Sequence, residues 1–290
     1  MKRLRIILLA FFAVVFIAFA VNRVLEFITS DSEAPVITAE QDKLELSVTA
    51  TDEDLLVGMT ALDSLDGNVT DTLTVVSKSH FITKGTQRIN YAAFDKNNNV
   101  GTYSREVTYV DYHSPHFHMK RPLRFVSGNS TYDYLSRITV EDCLDGDLTQ
   151  QIKITTGETE NVGDSASTRQ INLQVTNSAG DTVVLDLTAR FEEYDTYNTS
   201  APALDDYILY VPLGERPDYA SHLIGILSGN RLREFKDTSY NAAENVTIND
   251  SEVDYQTPGV YSVKYQLAYT NKEGLLVRLG TTTLIVIVED

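Results

Sequence analysis

Asp63-Ser64-Leu65-Asp66-Gly67-Asn68-Val69-Thr70 recurs as Asp142-Cys143-Leu144-Asp145-Gly146-Asp147-Leu148-Thr149, 79 residues later. The register holds on both sides of this octet. Asp54-Leu55-Leu56 and Met59-Thr60 match Asp133-Tyr134-Leu135 and Ile138-Thr139, while Leu73 and Val75 match Ile152 and Ile154. Upstream, Pro35-Val36-Ile37 matches Pro115-His116-Phe117 at a shift of 80. A register this constant means duplication, so the chain is read as repeated units rather than as one large domain.

A third, diverged copy begins at Ala201-Pro202-Ala203-Leu204. Gly214 and Asp218-Tyr219 echo Gly128 and Asp133-Tyr134, and Asn245-Val246-Thr247 stands where Asn68-Val69-Thr70 stands, without the Leu-Asp-Gly before it. Within the copies the pattern is β. Arg88 to Ala93 and Val260 to Tyr265 alternate at period two, and Thr102–Tyr109 and Thr281–Val288 are rich in β-branched and aromatic residues. Turn chemistry at 95–99, 177–180 and 271–274 separates alternating runs. Beyond residue 30 no helical periodicity reaches ordinary helix length. The expectation is an all-β chain of three tandem Ig-like β-sandwich domains, at 31–112, 113–194 and 200–290, after an N-terminal transmembrane helix or signal sequence at 1–28.

That first segment sets the compartment. Lys2, Arg3 and Arg5 precede sixteen apolar residues, Ile6 to Val21, and Val24, Leu25, Phe27 and Ile28 resume the apolar pattern after Asn22-Arg23. Basic residues before the run keep that end cytoplasmic and send the remainder outward. Sixteen residues span about 24 Å of a core about 30 Å thick, and the second apolar cluster makes up the difference if Arg23 snorkels. Ala18-Phe19-Ala20 equally fits a signal-peptidase site. Two readings stay open: a single-pass cell-membrane protein with extracellular C-terminal domains, or a protein secreted after cleavage.

Charge and cysteine usage exclude several classes. The chain carries 24 basic and 41 acidic side chains, net −17. Without residues 1–28 the balance is 20 against 40, or −20. An excess of this sign rules out a sequence-independent grip on nucleic acid, which needs clustered Lys and Arg. One cysteine, Cys143, makes no intramolecular disulfide and no Cys-rich zinc site.

The opening Asp-x-x-Ala-Pro-Val-Ile (31–37), the Leu-Asp-Gly-Asn-Val-Thr octet core (65–70), the Pro-Gly-x-Tyr-x-Val-x-Tyr run (258–265) and the Asn/Gly turns resemble bacterial immunoglobulin-like domains. Such domains occur in tandem on Gram-positive surface proteins and in pesticidal crystal toxins. The resemblance covers nearly all of 31–290. It implies a sandwich fold, a surface location and a role as stalk, spacer or adhesive module; it implies no cofactor.

Candidate chemistry is sparse. Asp63, Asp66, Asp142, Asp145 and Asp147 supply oxygen-rich loops of the kind calcium takes, giving a calcium-stiffened adhesin as an alternative. The competing reading is that each Asp caps the amides of its own Asp-Gly turn. Asp95 to Asn99 with Glu106 imitates an EF-hand loop, but position six is Val100 rather than glycine and a strand follows. His113, His116 and His118 have metal-ligand spacing but fall at an inter-domain junction, where solvated histidines are expected. Ser165 follows Asp164, and the only later histidine, His222, lies in another copy, so no catalytic nucleophile is expected. Eight tyrosines fall in the third copy; Tyr261 and Tyr265 are expected to split between faces, while Tyr207, Tyr210 and Tyr240 are the candidates for a binding surface.

The expected function is therefore a non-enzymatic, membrane-anchored stalk of Ig-like domains. Its partner is a cell-envelope or host protein or glycan bound by the distal domain, and the membrane is engaged through the N-terminal helix. A weaker alternative is an accessory module of a cell-envelope enzyme complex.

Overall fold

The computed structural model describes residues 2–29, 32–129, 131–163, 165–235, 242–270 and 276–289. It divides into two compact units, Met1–Tyr112 and His113–Asp290.

The first unit holds a helix, α1 (Lys2–Thr29), and one sandwich. Within α1, Arg5–Val24 forms a 20-residue stretch of mean hydropathy 2.5, none of it buried in the protein, so by length and composition it is able to cross a membrane. The sandwich follows as β1 (Val36–Ala39), β2 (Lys43–Leu46), β3 (Met59–Asp63), β4 (Gly67–Asn68), β5 (Thr74–Thr83), β6 (Thr86–Phe94) and β7 (Val100–Tyr109). One sheet has the order β1-β3-β4, the other β2-β7-β6-β5. All pairings are antiparallel except β2 with β7, which run parallel.

The second unit repeats this plan twice. Its first sandwich comprises β8 (His116–Met119), β9 (Arg124–Val126), β10 (Ile138–Asp142), β11 (Gly146–Asp147), β12 (Lys153–Asn161), β13 (Ala166–Thr176) and β14 (Thr182–Glu192). The sheets run β11-β10-β8 and β12-β13-β14-β9, with β9 parallel to β14. A single helical turn, α2 (Tyr194–Tyr197), leads to β15 (Ser200–Leu204), β16 (Ile208–Pro212), β17 (Leu223–Ser228), β18 (Arg231–Glu234), β19 (Val246–Asn249), β20 (Gly259–Thr270) and β21 (Leu276–Glu289). Here the orders are β15-β17-β18 and β16-β21-β20-β19, with β16 parallel to β21. The chain is thus three tandem Ig-like sandwiches after an apolar helix, as the repeat and the period-two patterns require.

Alternation decides the core. Along β14, Leu185, Leu187, Ala189 and Phe191 point inward while Asp186, Thr188 and Arg190 point out. Two tyrosines do equivalent work in the first and third sandwiches. Tyr91, 1% exposed, donates its hydroxyl proton to the Leu55 carbonyl at 3.0 Å, and Tyr265, fully buried, donates to the Tyr219 carbonyl at 2.7 Å. Each ties a long central strand to the 3-10 turn of the opposite sheet (Asp54–Leu56 and Tyr219–His222), which satisfies the hydroxyl a buried tyrosine brings with it. Tyr261 lies on the same inward face of β20 as Val263 and Tyr265 and packs partly buried against the core. The expected split between Tyr261 and Tyr265 is therefore not what the sheet shows: residues four apart in an unbroken strand share a face.

Candidate functional site

The Leu-Asp-Gly octets fold as staples. Asp63 Oδ1 accepts from the Leu65 and Asp66 amides at 2.8 Å each, and Asp142 Oδ1 accepts from the Leu144 and Asp145 amides at 2.9 Å each. Gly67 and Gly146 close the turns at φ 74° and 72°, a conformation a side chain resists. The second carboxylate of each octet then reaches the other sheet. Asp66 takes the Lys96 amide (2.8 Å) and ammonium (2.9 Å), while Asp145 takes the Ser178 amide (2.6 Å) and hydroxyl (2.7 Å). Asp147 caps the Thr149 amide at 2.9 Å. These donors account for the carboxyls they hold below the ordinary value: Asp63 through the Asp66 and Leu65 amides, Asp66 through the Lys96 amide and ammonium, and Asp147 through Thr149. All five acidic residues of the calcium reading are therefore engaged by the protein's own N–H and O–H groups.

One difference between the copies is informative. Asn177 in the second sandwich donates its Nδ2 to Asp142 Oδ2 at 3.1 Å. The corresponding residue in the first sandwich is Asp95, in a turn with the same backbone hydrogen bonds, where its Oδ2 also accepts from Asn99 Nδ2 at 2.6 Å. An acid cannot donate there when ionised, and Asp63 Oδ2 is buried with no hydrogen-bond partner among the described residues. Lys96, where the second copy has Ser178, brings the compensating positive charge. Replacing Asp95 with Asn should restore the missing donor but give up the acceptor that Asn99 Nδ2 now uses at 2.6 Å. Asp95→Asn together with Asn99→Ala should therefore be more stable than Asn99→Ala alone by about 1 kcal/mol, read as a higher urea midpoint; equal midpoints would mean that the orphaned oxygen costs nothing. The EF-hand imitation ends in strand β7, with Glu106 paired to Lys43 and Arg88 instead of closing a loop.

The histidines expected in a solvated junction sit in a packed joint between the two sandwiches of the second unit. His116 stacks on the Tyr210 ring (centroids 3.7 Å, 13° between planes) and on His113 (4.2 Å), and its Nε2 is 2.8 Å from Glu289 Oε1. Tyr210 accepts the Phe117 amide on its hydroxyl at 2.7 Å. Asp206 gathers four donors: the Met119 and Ile208 amides on Oδ1 (2.8 and 3.1 Å), and His118 Nδ1 and Lys120 Nζ on Oδ2 (3.0 and 3.1 Å). Burial alone would push the Asp206 carboxyl up; these donors outweigh it and leave the group at about 2. The backbone completes the joint, Tyr207 donating to Met119 at 2.9 Å and receiving from Ile285 at 2.9 Å. One apolar cluster runs through both sandwiches.

This corrects the tyrosine reading. Tyr207 is 1% exposed and Tyr210 is clamped in the joint, where burial raises its hydroxyl pKa, so neither offers an open recognition surface. Both lie where the third sandwich meets the second, at the start of β16, where a period-two argument cannot distinguish exposed from docked. Tyr240 lies outside the described residues. Ser165, the weighed nucleophile, opens no relay to His222, whose Nδ1 is 3.1 Å from Asp205 Oδ1.

The joint leaves a cleft of about 1090 Å3 between the same two sandwiches. One wall is the outward face of β14, including Asp186, Thr188 and Arg190; the other is the outward face of β20 and β21, including Ser262, Thr281 and Thr283. At its base Glu192 accepts Arg124 Nε and Nη2 on one oxygen (3.0 and 2.6 Å) and Arg190 Nε on the other (2.5 Å). Sequence reading missed this site. Its only local signal is the Arg190/Glu192 alternation at the end of a strand, a pattern that solvated strands share.

No family model matches the chain, and no curated protein matches it. Solved structures similar to it include three multi-domain proteins. The M60 catalytic domain with CBM51-1 and CBM51-2 from Clostridium perfringens ZmpB is 11% identical over 90% of this chain and 31% of its own length, with a TM-score of 0.21. The protocadherin GammaB4 extracellular domain is 11% identical over 90% of this chain and 50% of its own, at 0.21. Human CDH23 EC21-23 is 12% identical over 88% of this chain and 100% of its own, also at 0.21. The chain spans half or less of the first two. Superpositions this poor carry no argument; the fold rests on the strand pairings themselves.

Proposed function

We propose that this chain is a non-enzymatic surface protein of a Gram-positive cell, held in the membrane by α1, with its Ig-like sandwiches outside and a binding site for a protein or glycan in the His113–Asp290 unit. The observation that carries this reading is the cleft. It has two walls from different sandwiches and a joint that fixes one against the other, a preformed concavity of the kind ligand sites use. Its volume is at the top of the range for such sites, roughly 300–1,000 Å3. The exposed apolar stretch Arg5–Val24, preceded by basic residues, supports the anchor. The third sandwich alone supplies only one wall, so binding is assigned to the second and third together.

The test is made on intact cells. Protease added outside should remove the sandwiches while leaving α1 in the membrane fraction, and cell-free medium should hold little of the chain. Recovery of the chain in the medium with a new N-terminus near Ala20 would replace the anchor by a cleaved signal. Protection from external protease would sink the surface location altogether.

A further inference from the structure

We propose that the cleft between the second and third sandwiches takes a neutral glycan chain. This rests on the reading of the protein as a binding protein and names the chemistry of its ligand.

Three features of the walls select it. Hydroxyl side chains are frequent, nine of the 23 lining residues being Ser or Thr, although Ser200 and Thr282 are buried and bonded to Ser228 and the Pro202 carbonyl. On the exposed positions Thr281 and Thr283 they alternate with buried Thr282 and Leu284, and so present a regular row of groups that both donate and accept. Polyhydroxylated ligands match such a row group for group.

Charge in the cleft is already spoken for. Two cations, Arg124 and Arg190, share Glu192; Glu252 is paired with Lys264 at 2.8 Å; and Asp186 accepts from Asn172 Nδ2 at 2.8 Å. An ionic ligand would have to compete with these pairs. A polyanion would also approach a chain of net −17 against long-range repulsion. Neutral hydroxyls, by contrast, add to the fixed guanidinium and carboxylate groups without displacing them, because each planar group retains further hydrogen-bonding positions.

Apolar contact is limited and flat. Val260 is 57% exposed on the outer face of β20, while Tyr261 points to the opposite face, packs partly buried against the core and has its hydroxyl held by the Thr257 carbonyl at 2.9 Å. A small aliphatic patch such as Val260 suits the apolar face of a sugar. A peptide would need deep pockets for aromatic or aliphatic anchors, and the other large apolar residues of the walls, such as Leu123 and Leu187, are buried in the cores.

The experiment uses the full chain in detergent, run by affinity electrophoresis through gels containing glucan, mannan, galactan or soluble chitin oligosaccharide. Parallel gels contain polygalacturonate or polylysine. At least one neutral glycan should retard the protein. Thr281→Arg and Thr283→Trp, at exposed strand positions that fill the cleft, should each weaken retardation by about tenfold or more. Thr102→Trp, on an exposed position of β7, should leave it unchanged and so controls for surface bulk. If no neutral glycan retards the chain, or if both cleft variants bind as the parent does, the proposal fails. Retardation by polylysine alone, lost in the cleft variants, would overturn the glycan and keep the cleft as a binding site. Retardation that none of the variants alters would remove the cleft itself from the function.

Discussion

Substituting Asp206 with Ala should cost the His113–Asp290 unit about 3 kcal/mol, because the carboxylate serves four donors and its removal orphans two strand amides in a largely buried joint. The loss is expected in urea denaturation as a lower midpoint for this unit, with the first sandwich unaffected. Asp206→Asn retains one acceptor and should lie between the two.

The same residue sets an acid limit. Its carboxyl stands at about 2 in the folded protein against 3.8 ordinarily, so the folded state favours the ionised form. The stabilisation is complete above about pH 4 and is lost as pH falls from there through about 2; the difference corresponds to about 2 kcal/mol. The parent should therefore lose more stability than Asp206→Asn between pH 4.5 and 2.5. Equal losses would show that other carboxylates govern acid unfolding.

Alanine at Gly280 or at Gly101 should be at least as damaging. An added Cβ would meet the Ser200 carbonyl oxygen at 1.9 Å in the third sandwich and the Pro35 carbonyl oxygen at 1.9 Å in the first. Both obstacles are backbone, so neither can rotate away. In each case the glycine lies on the last strand where the first strand of the same sandwich crosses it, and alanine would force the two sheets apart. About 3 kcal/mol or more is expected for each, by the overpacking mechanism. Gly157→Ala is the control. Its nearest neighbour is Gln170 Cβ at 3.7 Å, an ordinary contact, and the change should stay within about 0.5 kcal/mol. Equal effects at all three positions would mean that chain entropy, and not the close crossing, governs them.

The fold was largely legible because its signals are local. Alternation in Arg88–Ala93, β-branched residues in Thr102–Tyr109 and the turns at 95–99 and 177–180 each act within about ten residues. The duplicated octet then carried the assignment from one sandwich to the next. Its capping role was legible too, since an Asp two and three residues before its own amides needs no distant partner.

The sites were not legible in the same way. His118 meets Asp206 across 88 residues and His116 meets Glu289 across 173, so nothing in either local stretch announces the contact. Tyr207 and Tyr210 were misread for this reason, their exposure being decided by a neighbouring sandwich. What the sequence by itself determined is the apolar helix, the acidic character and three β units with their turns, all consequences of neighbouring residues. Only the tertiary structure decided that the second and third sandwiches lock together and leave a cleft between them. Docking depends on the outward side chains of a strand, and in sequence those look the same whether they face water or a neighbouring sheet.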